Sequence, residues 1–321
     1  MPYACALLLL VTLTQQPAAG QADASGQRVQ QVRPAPPPSA GKAPEAGPSR
    51  FTPFTVASTI FDTNINHNEE SLDAYGMMMG AGIGFRNDPR KPTLELQYQA
   101  GFHRYANTNQ WDRLSHFARA AWERRLSRRV AFEAVGEGSI KGSTEDRELS
   151  NQLSLSPRIE YRITSAWRLR AFGAWRLKRY PDSADRNATN RYGGLELARR
   201  GPGIRWSAGG RYEVNAAESS RQRYLRWTWF GDLSTPIGRW NRLEVEMRYR
   251  RQRYPFRLVD VKGGPDVPRL DVRIEPEITW VHLIDADLEV RAGYAFAGRD
   301  SNDARRDYRS HQVIASLLQR W

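Results

Sequence analysis

The segment at residues 242–253 reads Arg-Leu-Glu-Val-Glu-Met-Arg-Tyr-Arg-Arg-Gln-Arg, and apolar side chains alternate with charged ones along most of it. The apolar positions are Leu243, Val245, Met247 and Tyr249. The charged positions between and after them are Glu244, Glu246, Arg248 and Arg250. Successive side chains of a strand point to opposite faces, so this period of two predicts a strand with one apolar and one charged face. On a helix the same residues would be scattered around the whole circumference.

The same alternation recurs about fourteen times between Phe51 and Trp321. The predicted strands are 54–63, 75–86, 93–103, 115–125, 130–140, 151–163, 167–179, 191–199, 205–215, 223–234, 242–253, 270–280, 286–297 and 308–321. Each of them reaches the length of about 9–11 residues that a tilted strand needs to cross a membrane. The pattern predicts an all-β fold, a closed antiparallel transmembrane β-barrel of about 14 strands, with about 12 to 16 compatible. The apolar set of each strand is expected to face lipid and the polar set the lumen.

The predicted connections alternate between long and short. Asn64–Asp73 is long, Asn87–Pro92 is short, and near the C-terminus Pro255–Arg269 is the longest predicted loop. Barrels of the outer membrane have long outer loops and short periplasmic turns. This phase therefore predicts that the N- and C-termini are both periplasmic.

The N-terminal part of the chain has a different composition. Residues 1–22 are predicted to be a signal peptide, because the apolar stretch Ala4–Leu13 is followed by small residues suited to cleavage. Residues 23–50 are rich in Pro, Ala, Gly and Gln and are predicted to be a disordered periplasmic leader, which a periplasmic partner could bind. Residues 51–321 are then the barrel, placed in the outer membrane of a Gram-negative bacterium.

The charge and cysteine content limit the partners and the chemistry. The chain has 48 Lys and Arg against 35 Asp and Glu, and its one cysteine, Cys5, lies in the predicted signal peptide. Disulfides and thiol catalysis are thus excluded from the mature protein. We expect no nucleic-acid partner, because the basic residues are spread over membrane-type strands. Outer-membrane lipid and lipopolysaccharide are the expected partners, since Arg and Lys can pair with lipid phosphates.

The charged face of the strands is predicted to line the lumen. The basic lumen residues are Arg170, Arg176, Lys178, Arg211, Arg226, Arg248, Arg250, Arg273 and Arg291. The acidic lumen residues are Glu95, Glu133, Glu137, Glu160, Glu213, Glu244, Glu246, Glu275, Glu277 and Glu289. Two arrangements stay open. Basic and acidic sectors on facing walls, the acidic one also including Asp287, would produce a transverse field across a pore. A lattice of salt bridges would instead fill a narrow lumen.

Aromatic residues at the predicted strand ends suit the two interfacial girdles of a membrane barrel. These residues are Trp122, Trp167, Trp227, Trp229, Trp280 and Trp321. The last one closes a C-terminal strand of the kind that the barrel assembly machinery is expected to bind. Pro157 and Pro276 lie inside predicted strands, where each removes a ladder donor, so local bulges are expected there.

We predict no enzymatic activity, no cofactor and no metal site. The five histidines show no metal-ligand spacing. Ser115 and His116 are neighbours and must point to opposite faces, which does not suit a His–Ser pair of a barrel phospholipase. His103 is a candidate lumen histidine, but the sequence indicates no partner for it.

The stretch from Phe51 to Trp321 resembles outer-membrane β-barrel porin-like proteins. Residues 60–66, Ile-Phe-Asp-Thr-Asn-Ile-Asn, are similar to the aromatic-Asp-x-Asn-(Ile/Val) segment that opens such porins. The chain is also similar to the barrel part of surface lipoprotein assembly modifiers, although a Pro-rich leader stands where those proteins have helical repeats. The resemblance implies a channel or porin for small polar or charged solutes. The alternative is a barrel component of an export or surface-protein or polysaccharide assembly system, or a non-conducting anchor that docks partners through its leader.

Overall fold

The computed structural model describes residues 50–65, 67, 72–87, 93–106, 112–143, 149–181, 183–201, 203–260 and 265–321, so the predicted signal peptide and almost all of the predicted leader lie outside it. The described residues form one antiparallel sheet that closes on itself as a barrel. The strands are β1 (Arg50–Asp62), β2 (Ala74–Arg86), β3 (Thr93–Tyr105), β4 (Arg113–Arg125), β5 (Val130–Ser143), β6 (Leu149–Arg162), β7 (Trp167–Arg179), β8 (Ala188–Arg199), β9 (Arg205–Ala217), β10 (Tyr224–Ile237), β11 (Asn241–Val259), β12 (Val267–Leu283), β13 (Leu288–Ser301) and β14 (Tyr308–Arg320). The predicted closed antiparallel barrel of about 14 strands is confirmed. No helix in the described part of the chain is long and apolar enough to cross a membrane.

The two ends of the barrel differ in their connections. We call the end where β1 begins and β14 ends the turn end, and the opposite end the loop end. Turn-end connections are 87–92, 126–129, 163–166, 200–204, 238–240 and 284–287, and loop-end connections are 63–73, 106–112, 144–148, 180–187, 218–223, 260–266 and 302–307. Three of the short turns close in the same way: a side-chain oxygen of Ser127, Thr164 or Asp285 accepts hydrogen bonds from two backbone N–H groups just ahead. Ser, Thr and Asp favour turns for this reason.

The prediction of a long loop at Pro255–Arg269 is wrong. β11 continues to Val259 and β12 starts at Val267, so most of this segment is a strand pair that extends past its neighbours. Pro255 lies where the register between β11 and β12 shifts, between Tyr254 and Leu258. A proline that cannot donate to the ladder is accommodated by such an irregularity, and the strands resume beyond it.

The bulges expected at Pro157 and Pro276 are also absent. Pro157 stays in register with Ala134 and Pro276 with Met247. On the other side of each proline-containing strand, the pairing omits two residue pairs and then resumes in the same register. The missing donor thus removes local pairing with one neighbour and leaves the strand path unchanged.

The two faces of the sheet have opposite polarity over most of the barrel. On β12, Ile274, Ile278 and Trp280 point outward and are exposed. Arg273 and Glu275, on either side of Ile274, point inward and are buried. The predicted outward and inward sets of β9, β11, β12 and β13 follow this division. An apolar exterior around a charged interior is the arrangement of a membrane-spanning barrel.

β1 departs from the expected polarity, because Phe54, Val56 and Ile60 point inward while Phe51 and Phe61 point outward. Phe54 and Val56 form a buried cluster with Met78 of β2 and Leu318 of β14. The cluster depends on glycine in β2: a Cβ added at Gly82 would lie 2.3 Å from the Phe54 ring. The inner wall therefore has an apolar sector at β1, β2 and β14, which we call the apolar sector.

Closure of the barrel is secured at the loop end by Asp62, the aspartate of the 60–66 segment. Its side chain is fully buried and accepts hydrogen bonds from Ser310 Oγ at 2.7 Å and Gln312 Nε2 at 2.8 Å, both on β14. The backbone N–H of Asn64 donates to the same carboxylate at 2.9 Å. Ile65 then packs with Ile60 and other apolar residues under the first connection. The motif thus fastens the first strand to the last.

Substitution of Asp62 by Ala should destabilise the barrel by about 3 kcal/mol, because it leaves buried donors on β14 without their acceptor. Urea unfolding of the protein in lipid vesicles, followed by tryptophan fluorescence, would measure the difference. Asp300→Ala is the matched control, since Asp300 also pairs with β14, through Arg309, but is largely exposed. It should change stability by less than about 1 kcal/mol. Equal losses in the two variants would contradict a special role for Asp62.

Candidate functional site

All nine predicted basic and all ten predicted acidic lumen residues lie on the inward-facing positions of their strands. The alternation that assigned them holds over the part of each strand that contains them. Further charged residues share the inner face and were not singled out from the sequence, although the same alternation could have found them. They include Asp62, Arg113, Arg119, Arg168, Glu196, Asp232, Arg242, Arg269, Arg299 and Arg320.

Residues of opposite charge form pairs on the inner wall, both between adjacent strands and within one strand. On β11 and β12, Arg250 binds Glu275 at 3.0 Å. Within β11, Arg248 binds Glu246 at 2.8 Å. Glu244, which was assigned to an acidic sector, lies 3.8 Å from Arg291 of β13. These pairs favour the lattice of salt bridges. The residues concerned do not form a basic sector on one wall and an acidic sector on the wall facing it.

The wall formed by β3 to β8 concentrates carboxylates around a few arginines. Arg119 of β4 lies 3.6 Å from Glu95, 3.8 Å from Glu133 and 3.5 Å from Glu137. Farther along the wall, Arg170 binds Glu160 at 3.0 Å and Glu196 at 2.6 Å. One guanidinium can serve several carboxylates because it has five donors in a planar fork.

The wall formed by β8 to β10 has the reverse arrangement, with one carboxylate among several cations. Glu213 is fully buried and accepts hydrogen bonds from Arg226 Nη2 at 2.6 Å, Asn190 Nδ2 at 2.5 Å and Tyr224 Oη at 3.0 Å. Arg211 lies 4.0 Å away. The charges of Arg176 and Lys178 also act on Glu213.

Aromatic rings hold the arginines of the loop-end half in place. Arg176 and Arg211 both lie over the Tyr192 ring, at 5.5 Å and 5.0 Å from its centroid. Arg269 stacks in the same manner on Tyr254, at 4.5 Å. Cation–π contacts of this kind fix the guanidinium plane and contribute about 0.5–2 kcal/mol each.

The inner wall is less accessible in the loop-end half than in the turn-end half. Near the turn end, the side chains of Glu95 and Glu244 are 30% and 31% exposed. In the loop-end half, those of Arg226 and Arg250 are only 3% exposed. On several strands the inner-wall side chains are thus packed more closely toward the loop end, although Glu289 near the turn end of β13 is also fully buried.

In the loop-end half of β7 to β13, inward-facing basic residues outnumber acidic ones. Its inward basic residues are Arg176, Lys178, Arg211, Arg226, Arg248, Arg250, Arg269, Arg273 and Arg299. The acidic residues beside them are Glu213, Glu246, Asp271, Glu275 and Glu277. We call this region the basic constriction. Because its charges are buried, salt in the surrounding solution screens them weakly.

The histidines lie in two kinds of environment. His103 points inward and does have a partner, contrary to the sequence analysis, because its Nε2 lies 3.1 Å from Ser115 Oγ across the β3–β4 hairpin. His116 and His311 point outward, and the Nδ1 of each lies 2.8 Å from a tyrosine hydroxyl, of Tyr98 and Tyr294 respectively. Ser115 and His116 thus face opposite sides, as expected.

The predicted girdle residues lie at the two ends of the outer surface. Trp122, Trp167 and Trp280 lie near the turn end of their strands, and Trp321 follows the last strand there. Trp227 and Trp229 lie near the loop end of β10. All except Trp167, which packs edge-on against Trp206, are more than one third exposed.

Glu213→Gln should lower the free energy of unfolding by about 3–5 kcal/mol, because it removes the acceptor charge from a buried ion cluster. Glu244→Gln is the control: it makes the same change at a position of the inner wall that is 31% exposed. It should cost less than about 1 kcal/mol. Chemical unfolding in vesicles at constant ionic strength would compare them, and a larger loss for Glu244→Gln would contradict the assignment.

No family model matches the chain, and no curated protein matches it. Solved structures of outer-membrane proteins are similar in fold. The trimer form of OmpT from Vibrio cholerae has 10% identity and a TM-score of 0.49, with 86% of this chain and 100% of that chain covered. The anion-selective porin from Comamonas acidovorans has 8% identity and a TM-score of 0.48, with 85% and 100% covered. OprD from Pseudomonas aeruginosa has 7% identity and a TM-score of 0.43, with 85% and 93% covered. The chain itself forms a closed antiparallel β-barrel of 14 strands.

Proposed function

We propose that this protein is an outer-membrane channel for small polar or charged solutes, which pass through a lumen lined by Arg and Glu. The observation that carries the proposal is the charged inner wall enclosed by an apolar exterior. Buried ion pairs add little to stability compared with apolar packing of similar volume. An interior that served only to hold the barrel together would not need so many of them.

The difference in side-chain exposure along the inner wall supports a pathway with two parts. A solute would enter or leave through the turn-end half, where residues such as Arg158 and Glu133 are 28% and 24% exposed and remain hydrated. It would then cross the basic constriction near the loop end. Selection of solutes is expected there, because charged groups act most strongly where little water separates them from the solute.

The connections support an orientation for this pathway. The longest connection between two consecutive strands, 63–73, lies at the loop end, and the shortest, 238–240, lies at the turn end. In outer-membrane barrels the short turns are periplasmic. We therefore propose that the turn end and both termini face the periplasm and that the basic constriction lies toward the cell surface.

Purified protein in planar bilayers should give discrete conductance steps. A matched pair of cysteine variants on β7 then tests whether the current passes through the lumen, because Ala174 points inward and Ala171 points outward on the same strand. A bulky charged thiol reagent should reduce the conductance of Ala174→Cys by about half or more, since it narrows the lumen. The same reagent should leave Ala171→Cys unchanged.

Absence of conductance steps over a range of voltages and salts would contradict the channel and favour the alternatives, an assembly component or a non-conducting anchor. Equal block of the two cysteine variants would show that the current does not follow the lumen. Cys5 lies in the predicted signal peptide, so the mature protein offers the reagent no native thiol.

A further inference from the structure

Four arginines point outward from the lipid-facing surface of β7 to β11, in the loop-end half of the barrel. They are Arg179 of β7, Arg191 of β8, and Arg251 and Arg253 of β11. All four are exposed, at positions where the alternation elsewhere places apolar side chains. In the turn-end half of these five strands, all of whose residues the structure describes, Arg199 is the one outward-facing arginine. The positive charge of this outer surface is therefore concentrated at the loop end.

No acidic side chain accompanies these arginines on the outer surface. On β7 to β11, which the structure describes in full, every aspartate and glutamate points inward. Among the described residues, no carboxylate forms an ion pair with Arg191, Arg251 or Arg253. An arginine on the lipid face of a membrane strand is unfavourable at the bilayer centre, and its cost falls close to zero near the headgroups. The counterions of these arginines must therefore come from the lipid headgroups or the water beside them.

Tryptophans place two of the arginines at the depth of the headgroups. Arg191 lies opposite Trp175 on β7, and Arg251 lies opposite Trp227 on β10. Both tryptophan side chains are exposed on the outer surface. Tryptophan is enriched where a membrane meets water, because its ring is amphipathic. We call the surface formed by the four arginines and these two tryptophans the arginine–tryptophan face.

The spacing of the arginines favours a ligand with more than one anionic group. Arg251 and Arg253 lie two residues apart on one face of β11, which corresponds to about 7 Å. Arg191 and Arg253 lie in one cross-strand row, through Val214 and Leu225. Three strand spacings separate them, or about 14 Å. A single phosphate cannot contact both ends of this row, whereas a disaccharide headgroup with a phosphate at each end can.

We propose that the arginine–tryptophan face binds the phosphorylated headgroup of lipopolysaccharide. Guanidinium groups bind phosphate in a bidentate manner, and the tryptophan rings lie where the headgroup meets the acyl chains. The proposal goes beyond the channel function and does not depend on it. It rests on the proposed orientation, because lipopolysaccharide occupies the outer leaflet and the loop end must then face the cell surface.

The double variant Arg251→Gln with Arg253→Gln tests the proposal, because it removes two charges and keeps both side chains polar. Arg124→Gln with Arg199→Gln is the matched control, since both arginines are exposed and outward-facing but lie at the turn end of β4 and β8. Protein in a neutral detergent is titrated with lipid A that carries two phosphates, and native mass spectrometry measures the dissociation constant. The test variant should bind about tenfold more weakly or worse, and the control should change by less than about twofold.

The choice of lipid tests the assignment to lipopolysaccharide. Lipid A with two phosphates should bind the wild type more tightly than lipid A with one phosphate, and more tightly than phosphatidylglycerol. Phosphatidylcholine, which has no net charge, should bind most weakly. Equal affinities for phosphatidylglycerol and lipid A with two phosphates, or equal weakening in the two double variants, would overturn the proposal.

A second measurement remains valid if a substitution changes the stability of the barrel. A lipid that binds only the folded state raises the unfolding midpoint, and each variant is compared with its own lipid-free midpoint. The wild type and the control should show this rise with lipid A that carries two phosphates, and the test variant should show a clearly smaller one. No rise in the wild type would overturn the proposal even if the channel conducts.

These outcomes are independent of the proposed function. A detergent micelle has no inner and outer leaflet, so both measurements report on the arginine–tryptophan face whichever end of the barrel faces the cell surface. Binding together with absence of conductance would support the face and contradict the channel.

Discussion

The pairing of β1 with β14 is the interaction on which the rest of the structure depends. In lipid, an unpaired strand edge would leave a row of backbone groups without hydrogen-bond partners, so a sheet can span a membrane only when it closes. Here the two strands pair from Phe54 and Arg320 to Asp62 and Gln312. Closure also fixes which positions of every strand face inward, and thereby assembles the charged wall from residues far apart in the chain.

The closed wall brings together charges that would repel one another if each strand stood alone. β7 contributes four basic residues to the lumen and no acidic one, and their partners come from neighbouring strands, as Glu160 and Glu196 do for Arg170. The ion pairs stabilise the barrel only in this arrangement. Among the described inner-wall residues of β7 to β13, basic side chains outnumber acidic ones in the loop-end half.

Alternation along single strands allowed the fold and the inward residues to be predicted, because the side-chain period of a strand depends on nothing outside it. Pairing across strands could not be predicted in the same way. Glu244 could lie on a wall that faces the arginines or directly beside one of them. The choice depends on the register of β11 against its neighbours, which sequence alternation does not specify. The role of Asp62 depended on contacts with Ser310 and Gln312, about 250 residues away. The inward apolar side chains of β1 were missed because the alternation of polarity does not itself say which face is inside.

The apolar sector gives the lumen two unlike sides. β1 and β8 lie opposite each other in the cyclic strand order, so Phe54 and Val56 are on the side of the barrel away from Asn190 and Glu213. Water beside the apolar side chains finds few hydrogen-bond partners, whereas the opposite side offers guanidinium groups, amides and carboxylates. In the proposed channel, a hydrated ion would therefore keep to the polar side, and the electrical cross-section of the lumen would be smaller than its geometric one.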